Sequence, residues 1–306
     1  MRILVTGGAG FIGGHLVETL LQQGHNVIVV DNESATSSDK FNWFDEAENH
    51  KIDILNEKEM ETIFTKGLDY VFHLAAETKI QLAVEEPEKC FNSNITGTIK
   101  LLELCKKYNI KRVIVASSSS VYGMNDVPNH ESQIPDCLNP YAASKLCDEI
   151  ICSTYSKIYN LETISFRFFN VFGERMPNRG AYAPVIAIFD RQKLNNENMT
   201  ITGDGKQKRD FVYVKDVVSA LIAGMNTDNK SCIGQYYNVG NGTNISINEI
   251  AKLMGGDYVY IPERKGDARE TLADLTKIKN DLNWIPKTNV LDWLRKFCEN
   301  RYDNRW

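Results

Sequence analysis

Tyr141 and Lys145, four residues apart in the stretch YAASK, could do acid–base chemistry together if one helix carries both. Pro140 just before them suits the first turn of a helix, and the run YAASKLCDEIICSTYSKIY has helical apolar spacing, so the two side chains share a face. An ammonium beside a phenol favours the phenolate. Two unit charges roughly 4 Å apart at an effective dielectric near 20 interact by about 4 kcal/mol, and one pKa unit is about 1.4 kcal/mol. As an upper bound this brings a phenol from about 10 to near 7, where a general base works best. A cationic nicotinamide nearby would push the same way. Alone, such a pair is ordinarily a packed tyrosine with a solvated lysine. Its company matters, and the run Ser117 to Ser120, at the end of the strand-like stretch KRVIVA, could place a hydroxyl beside Tyr141 on a substrate oxygen.

The elements that must position these groups begin at the N-terminus. RILVT, from Arg2 to Thr6, reads as a short buried strand, and it runs into GGAGFIGGHLVETLLQQG, where Gly7, Gly10 and Gly13 precede helical periodicity. Gly7 permits a tight turn, Gly10 lets backbone approach a pyrophosphate, and Gly13 lets the helix pack on the strand. The helix N-terminus then faces the phosphates. A second strand, NVIVV, ends in Asp31, an acid placed to take both hydroxyls of an adenosine ribose, which favours NAD over NADP. Further alternations follow: HKIDI to Ile54, a helix near Glu57 to Phe64, DYVFHLAA, a long helix through Lys107, and KRVIVASSSS. This is the rhythm of an α/β Rossmann fold, a doubly wound parallel sheet. Asp53 and Ile54 fall at a strand end, where such sheets bind ligands, and either contact adenine or serve as turn residues. His73 reads as a packed, hydrogen-bonded histidine, while the small Ala75 and Ala76 allow backbone to approach a cofactor.

Bulk composition sets limits on partners. A chain of 306 residues can bury one large core or two joined ones. With 35 basic against 40 acidic side chains it lacks a nucleic-acid footprint, although a small anion needs only a few local arginines. Seven cysteines without CxxC or Cys/His metal spacing read as reduced thiols, with no metal site. No signal-peptide pattern or membrane span is visible, and a cytoplasmic location is expected.

The set GGAGFIG, VVDN, HLAA, NITGT, SSSSVYG, YAASK and RFFNVFG, covering nearly the whole chain, resembles the extended short-chain dehydrogenase/reductase family, in its nucleotide-sugar epimerase branch. The resemblance implies that Ser118, Tyr141 and Lys145 are the catalytic residues. It implies NAD contacts from Gly7, Gly10, Phe11, Ile12, Asp31, Asn32, Asp53, Ile54, Leu74, Ala75, Ala76 and Asn94, together with Tyr141 and Lys145. Dehydratases of this family carry an Asp and Glu pair where Ser119 and Ser120 stand, and related decarboxylases keep the Glu. Lacking those carboxyls, the chain is expected to oxidise and re-reduce one carbon, hence to epimerise. Dehydration, decarboxylation and a non-catalytic dinucleotide sensor are the rivals, and a UDP-uronic acid substrate is not excluded.

Residues 1–168 are expected to form the NAD domain, with returns to the sheet near 214–240 through a helix from Val214 to Met225 and a strand at YYNVG. Residues 169–306 are expected to be mostly a smaller, discontinuous substrate domain. Arginine's donor fork suits a diphosphate. GDGKQKRDFVYVKD places Arg209 before a strand, and PERKGDARETLAD places Arg264 and Asp267 in a loop. By resemblance Asn170, Arg209 and Arg264 hold the diphosphate of a UDP-sugar, Asp267 takes its ribose or supports an arginine, and Arg269 could assist. The strip GAYAPVI resembles one that faces uracil. Thr271 aligns where galactose-specific relatives carry a bulky tyrosine, so room for an N-acetyl group is expected. Thr78 departs from a lysine common near the cofactor. LADLTKIKNDLNWIPKTNVLDWLRKF reads as two amphipathic helices capping the substrate domain, with Trp284 and Trp293 packing. A homodimer through the helices near Val84 to Lys107 and Tyr141 to Tyr159 is a further implication of the resemblance.

Overall fold

The runs RILVT, NVIVVD and YVFH carry consecutive rather than alternating apolar residues, Ile3 to Val5, Val27 to Val30 and Tyr70 to Phe72, which suits strands covered on both faces rather than one. In the computed structural model, which describes residues 1–35, 41–178, 183–263 and 268–303, they form the middle of a parallel sheet. The first part of the chain runs β1 (Arg2–Thr6), α1 (Phe11–Gln22), β2 (Asn26–Asp31), β3 (Glu48–Lys51), α2 (Glu57–Phe64), β4 (Tyr70–His73), α3 (Ile80–Glu85), α4 (Pro87–Phe91), α5 (Gly97–Lys107), β5 (Arg112–Ser118), α6 (Pro140–Tyr159) and β6 (Glu162–Phe168). It continues through β7 (Asn170–Phe172), α7 (Val185–Leu194), β8 (Met199–Thr202), β9 (Lys208–Tyr213), α8 (Val214–Asn226), β10 (Gln235–Val239), β11 (Asn244–Ser246), α9 (Ile247–Met254), β12 (Tyr258–Ile261), α10 (Thr276–Leu282) and α11 (Val290–Cys298).

Among the described residues, seven strands pair in parallel in the order β3-β2-β1-β4-β5-β6-β10. Strand order reverses between β1 and β4, and open sheets of this kind take ligands at the carboxyl edge of that point. One face is covered by α1 and α8 through Leu16, Leu20, Val217 and Leu221. The other is covered by α2, α5 and α6 through Ile63, Phe64, Leu101, Cys105 and Cys152. The expected doubly wound sheet is therefore present, with β10 at its edge and α8 on one face. The small sheets β11-β9-β7 and β12-β8 lie with α7, α9 and α11 around Phe172, Phe189, Ile250 and Leu294.

Four local expectations change. The long helix ending at Lys107 is broken: Pro87 starts α4 at its first turn, and a π turn spans Asn92–Thr96 before α5. The strand expected to reach Ile54 stops at Lys51, which leaves Asp53 and Ile54 in the following turn. Arg209 lies inside β9, paired with Ile245, rather than ahead of it. Of the two C-terminal helices, α11 covers the small sheets through Val290 and Leu294, whereas α10 packs against β10 because Ile278 and Trp284 join the core of the seven-stranded sheet. Trp284 Nε1 donates to Ser219 Oγ at 2.8 Å, and Trp293 stacks on Phe297, so both tryptophans pack as expected.

Candidate active site

Backbone geometry at the first turn leaves no room for a side chain at Gly7 or Gly13. Gly7 has φ +67°, and a Cβ there would lie 2.7 Å from Ala75 N. A Cβ on Gly13 would lie 2.1 Å from Gly7 O, so only glycine lets α1 sit this close to the turn. Gly10 caps α1 with no side-chain hydrogen bond, and no acidic residue stands in the first turn. The free amides and the helix dipole therefore suit an anion. These residues fit the pyrophosphate of an adenine dinucleotide.

A crevice of about 600 Å³ opens here, and most of the expected dinucleotide contacts line it. Gly7, Gly10, Phe11 and Ile12 form one wall; Asp31, Asn32, Asp53 and Ile54 form one end; Leu74, Ala75 and Ala76 lie along β4's exit. Asp31 ends β2, where its Oδ2 accepts from Ala9 N at 3.1 Å and its Oδ1 from Glu33 N at 2.8 Å. Burial raises its pKa, and those two amides oppose the shift. Asn32 Nδ2 donates to Asp53 Oδ2 at 2.9 Å, joining the two residues at the crevice end.

Ser118, Tyr141 and Lys145 line the same crevice. Asn139 caps α6 through its side chain, which accepts from Ala142 N, and Pro140 occupies the first turn. Tyr141 thus sits at the mouth and Lys145 one turn deeper, 3 % exposed. Burial alone would lower the Lys145 pKa, but Asp148 and Tyr141 together raise it. Lys145 Nζ donates to Asp148 Oδ2 at 3.2 Å. Ser118 ends β5, and its Oγ accepts from Ser120 N at 3.2 Å and from Ser120 Oγ at 2.9 Å. His73 is buried as expected, bonded through Nδ1 to Thr6 Oγ1 at 2.8 Å and through Nε2 to Thr98 Oγ1 at 3.0 Å.

Asn94 is the exception among the dinucleotide contacts. It is fully buried in the π turn and does not line the crevice. Its Oδ1 accepts from Glu77 N at 2.7 Å, while its Nδ2 donates to Glu77 O at 3.0 Å and to Ser144 Oγ at 2.8 Å. With its amide spent on protein atoms, Asn94 holds the chain after β4 to α6.

The expected substrate residues divide. Arg264 and Asp267 lie outside the described residues, as do 180–182 of the GAYAPVI strip. Asn170, Arg209 and Thr271 surround β9 rather than the crevice. Asn170 Nδ2 donates to Asp210 O at 3.1 Å and to Thr271 Oγ1 at 3.4 Å, and Asp210 N also donates to Thr271 Oγ1. The threonine hydroxyl is therefore turned onto β9. Arg209 Nη1 donates to Lys208 O at 2.9 Å. Arg269 forms a two-point pair with Asp204, which occupies its donor fork. Thr78 does line the crevice.

Several positioning residues were not singled out from the sequence. Asp148 touches Lys145, and Glu149 receives Ser117 Oγ at 2.5 Å and pairs with Arg167. Asp210, fully buried with its pKa pushed up to about 6 by burial, accepts from Asn241, Gly242 and Ala273 amides. Three- and eight-residue offsets from Lys145 and Tyr141 on one helix were the signal for Asp148 and Glu149.

A family model described as the NAD dependent epimerase/dehydratase family matches residues 3–240, and the chain belongs to that family. The chain is 37% identical to the UDP-glucose 4-epimerase of Thermotoga maritima, solved with UDP-glucose, with a TM-score of 0.91 over 98% of each chain. It is 35% identical to the UDP-N-acetylglucosamine 4-epimerase of Methanobrevibacter ruminantium, solved with UDP-N-acetylmuramic acid, with a TM-score of 0.89 over 97% of each chain. It is also 35% identical to the UDP-glucuronate 4-epimerase of Thermodesulfobacterium geofontis, over 96% of this chain and 94% of that one. The protein is an enzyme of this NAD-dependent nucleotide-sugar 4-epimerase family. Relatives with three different named sugars stand at nearly equal identity, so identity does not select among them. No helix among the described residues is long and apolar enough to cross a membrane.

Proposed function

We propose that the protein inverts C4 of UDP-hexoses, taking UDP-GlcNAc and UDP-GalNAc and also UDP-glucose and UDP-galactose. The observation that carries this reading is the convergence of the glycine turn, Asp31, Ser118, Tyr141 and Lys145 on one crevice. NAD held in the crevice would supply an acceptor and then a donor of hydride for C4, which leaves no net redox change. Tyr141 removes the proton of the C4 hydroxyl and later gives it back. Ser118 bonds the same oxygen. Lys145 favours the Tyr141 phenolate and holds the nicotinamide ribose. Asn170, Arg209 and Arg264 hold the diphosphate and Asp267 the uridine ribose, while the 4-keto sugar turns about that link to present its other face. Ser119 and Ser120 offer no carboxyl for elimination, which supports epimerisation over loss of water or carbon dioxide. Acceptance of the N-acetyl group is supported by Thr271, a small side chain whose hydroxyl is drawn back onto β9. The working assembly in this reading is a homodimer, supported by exposed apolar side chains on α3 to α6, among them Val84, Ile99 and Ile150.

Purified protein is incubated, with no NAD added, with UDP-GlcNAc, UDP-glucose and UDP-glucuronic acid in separate reactions, and products are resolved by chromatography. The C4 epimers of the first two sugars are expected. Conversion of the uronic acid alone would overturn the sugar assignment, and a product lacking water or carbon dioxide would overturn the reaction.

A further inference from the structure

Lys145 is not alone behind Tyr141. One turn further along α6, Asp148 is fully buried, with Oδ2 on Lys145 Nζ at 3.2 Å. Its Oδ1 has no hydrogen-bond partner among the described residues. A carboxylate costs free energy in such a place, and packing alone would be served better by an apolar side chain. Its neighbours form a polar chain. Thr6, at the end of β1, bonds His73; His73 bonds Thr98 on α5; and the Thr98 hydroxyl stabilises the charged form of Asp148. The hydrogen bonds thus run from the rim of the glycine turn to Thr98, beside the Asp148–Lys145 pair.

The other titratable groups around this pair are Tyr141, Cys147, Glu149 and Cys152 on α6, Cys90 on α4, and Glu77 after β4. His73 is kept neutral by burial and by Lys145, with its pKa near 3, so it adds no charge around neutral pH. Burial raises the Asp148 pKa, and Lys145 opposes that most.

The geometry points to Asp148 as a positioning residue for the reaction: its carboxylate anchors the Lys145 ammonium beneath the crevice and sets how much of that charge Tyr141 feels. This rests on the roles given to Tyr141 and Lys145 above. An ammonium has three donors on a flexible stem. One donor spent on Asp148 fixes the stem and leaves the others to face the crevice. The carboxylate also opposes loss of a proton from Lys145. Removing its charge lets the ammonium deprotonate at lower pH.

The first test is the pH dependence of kcat/KM for the holoenzyme and for Asp148→Asn, which is nearly isosteric. The alkaline limb of the profile should move to lower pH by about one unit, and Asp148→Glu should return it toward the parent value. An alkaline limb that stays in place under a lower ceiling would mean a structural role only and would overturn the proposal. The second test needs no activity: melting temperatures of Asp148→Asn, Lys145→Met and the double variant. The double variant should lose less than the sum of the single losses, because no buried charge is left unpaired. Additive losses count against the proposal. Should Asp148→Asn fail to fold, folding of the double variant supports the proposal and failure of both overturns it. A parent protein that converts no UDP-sugar would sink the assigned reaction, and the melting cycle would still decide the pairing.

Discussion

Arg167 on β6 and Glu149 on α6 meet as a buried two-point ion pair, Nη2 to Oε2 at 2.7 Å and Nε to Oε1 at 2.8 Å. Oε1 also accepts from Ser117 Oγ, one residue before Ser118. The guanidinium lies 4.8 Å from the Tyr122 ring centroid and 4.2 Å from that of Tyr236. A single carboxylate therefore ties the helix of Tyr141 to the strand end of Ser118. Replacing one partner leaves a buried charge unpaired, so Glu149→Ala should lose about 3–5 kcal/mol of stability, read from the urea midpoint. A loss below about 1 kcal/mol would show that the pair does not hold the two elements.

Tyr141→Phe removes one hydroxyl from the crevice and leaves the glycine turn intact. Turnover of UDP-sugar should fall by about 10²–10⁴-fold, the usual worth of a positioned acid–base group. NAD released on acid precipitation should be unchanged. Retained turnover would remove Tyr141 from the mechanism.

Gly13→Ala puts a methyl group 2.1 Å from Gly7 O, and the obstacle is backbone rather than a movable side chain. The turn or the helix must shift, which moves the first-turn amides off the pyrophosphate. The variant should purify with far less bound NAD than the parent. Full NAD content would place the dinucleotide elsewhere.

His73 gives the protein an acid weakness. Burial, and secondarily Lys145, lowers its pKa to about 3 in the folded chain, against about 6.5 when unfolded. Between those values the unfolded chain binds a proton that the native one refuses. The contribution of neutral His73 is therefore complete above about pH 6.5 and is lost as pH falls toward 3, amounting to about 2 kcal/mol by pH 5. His73→Gln should flatten the fall in melting temperature between about pH 7 and about pH 5. An unchanged slope would assign that weakness to other groups.

Ile150 on α6 is 58% exposed, and Val84 on α3 is 53% exposed. If paired helices from two copies cover them, Ile150→Glu buries an unpaired charge at the contact. Light scattering should then give half the parent mass. Equal masses for parent and variant would refute this face as the interface.

The crevice was legible where its signals are local. The glycines and α1 follow from a strand, a turn and a 3.6-residue period within about 20 residues, and Asp31 follows from the end of the next strand. Pro140 and the spacing of Tyr141 and Lys145 likewise belong to one helix. Asn94 falls off the crevice lining because its amide is spent on Glu77 and Ser144, residues 17 and 50 positions away. The break at Pro87 was visible in the chain, but the π turn that follows aims Asn94 inward only once α6 is packed against it.

By itself the sequence determined which backbone positions must be glycine, which helix carries Tyr141 and Lys145, and that the sheet is parallel and covered on both faces. These are consequences of short-range sterics and of apolar periodicity. Only the tertiary structure decided that Asp148 shares a buried contact with Lys145, that Glu149 joins Ser117 to Arg167, that α10 belongs to the sheet, and that the Thr271 hydroxyl turns onto β9. Each is a hydrogen bond or apolar contact whose partner is chosen by burial, and burial is a property of the folded chain rather than of any stretch of it.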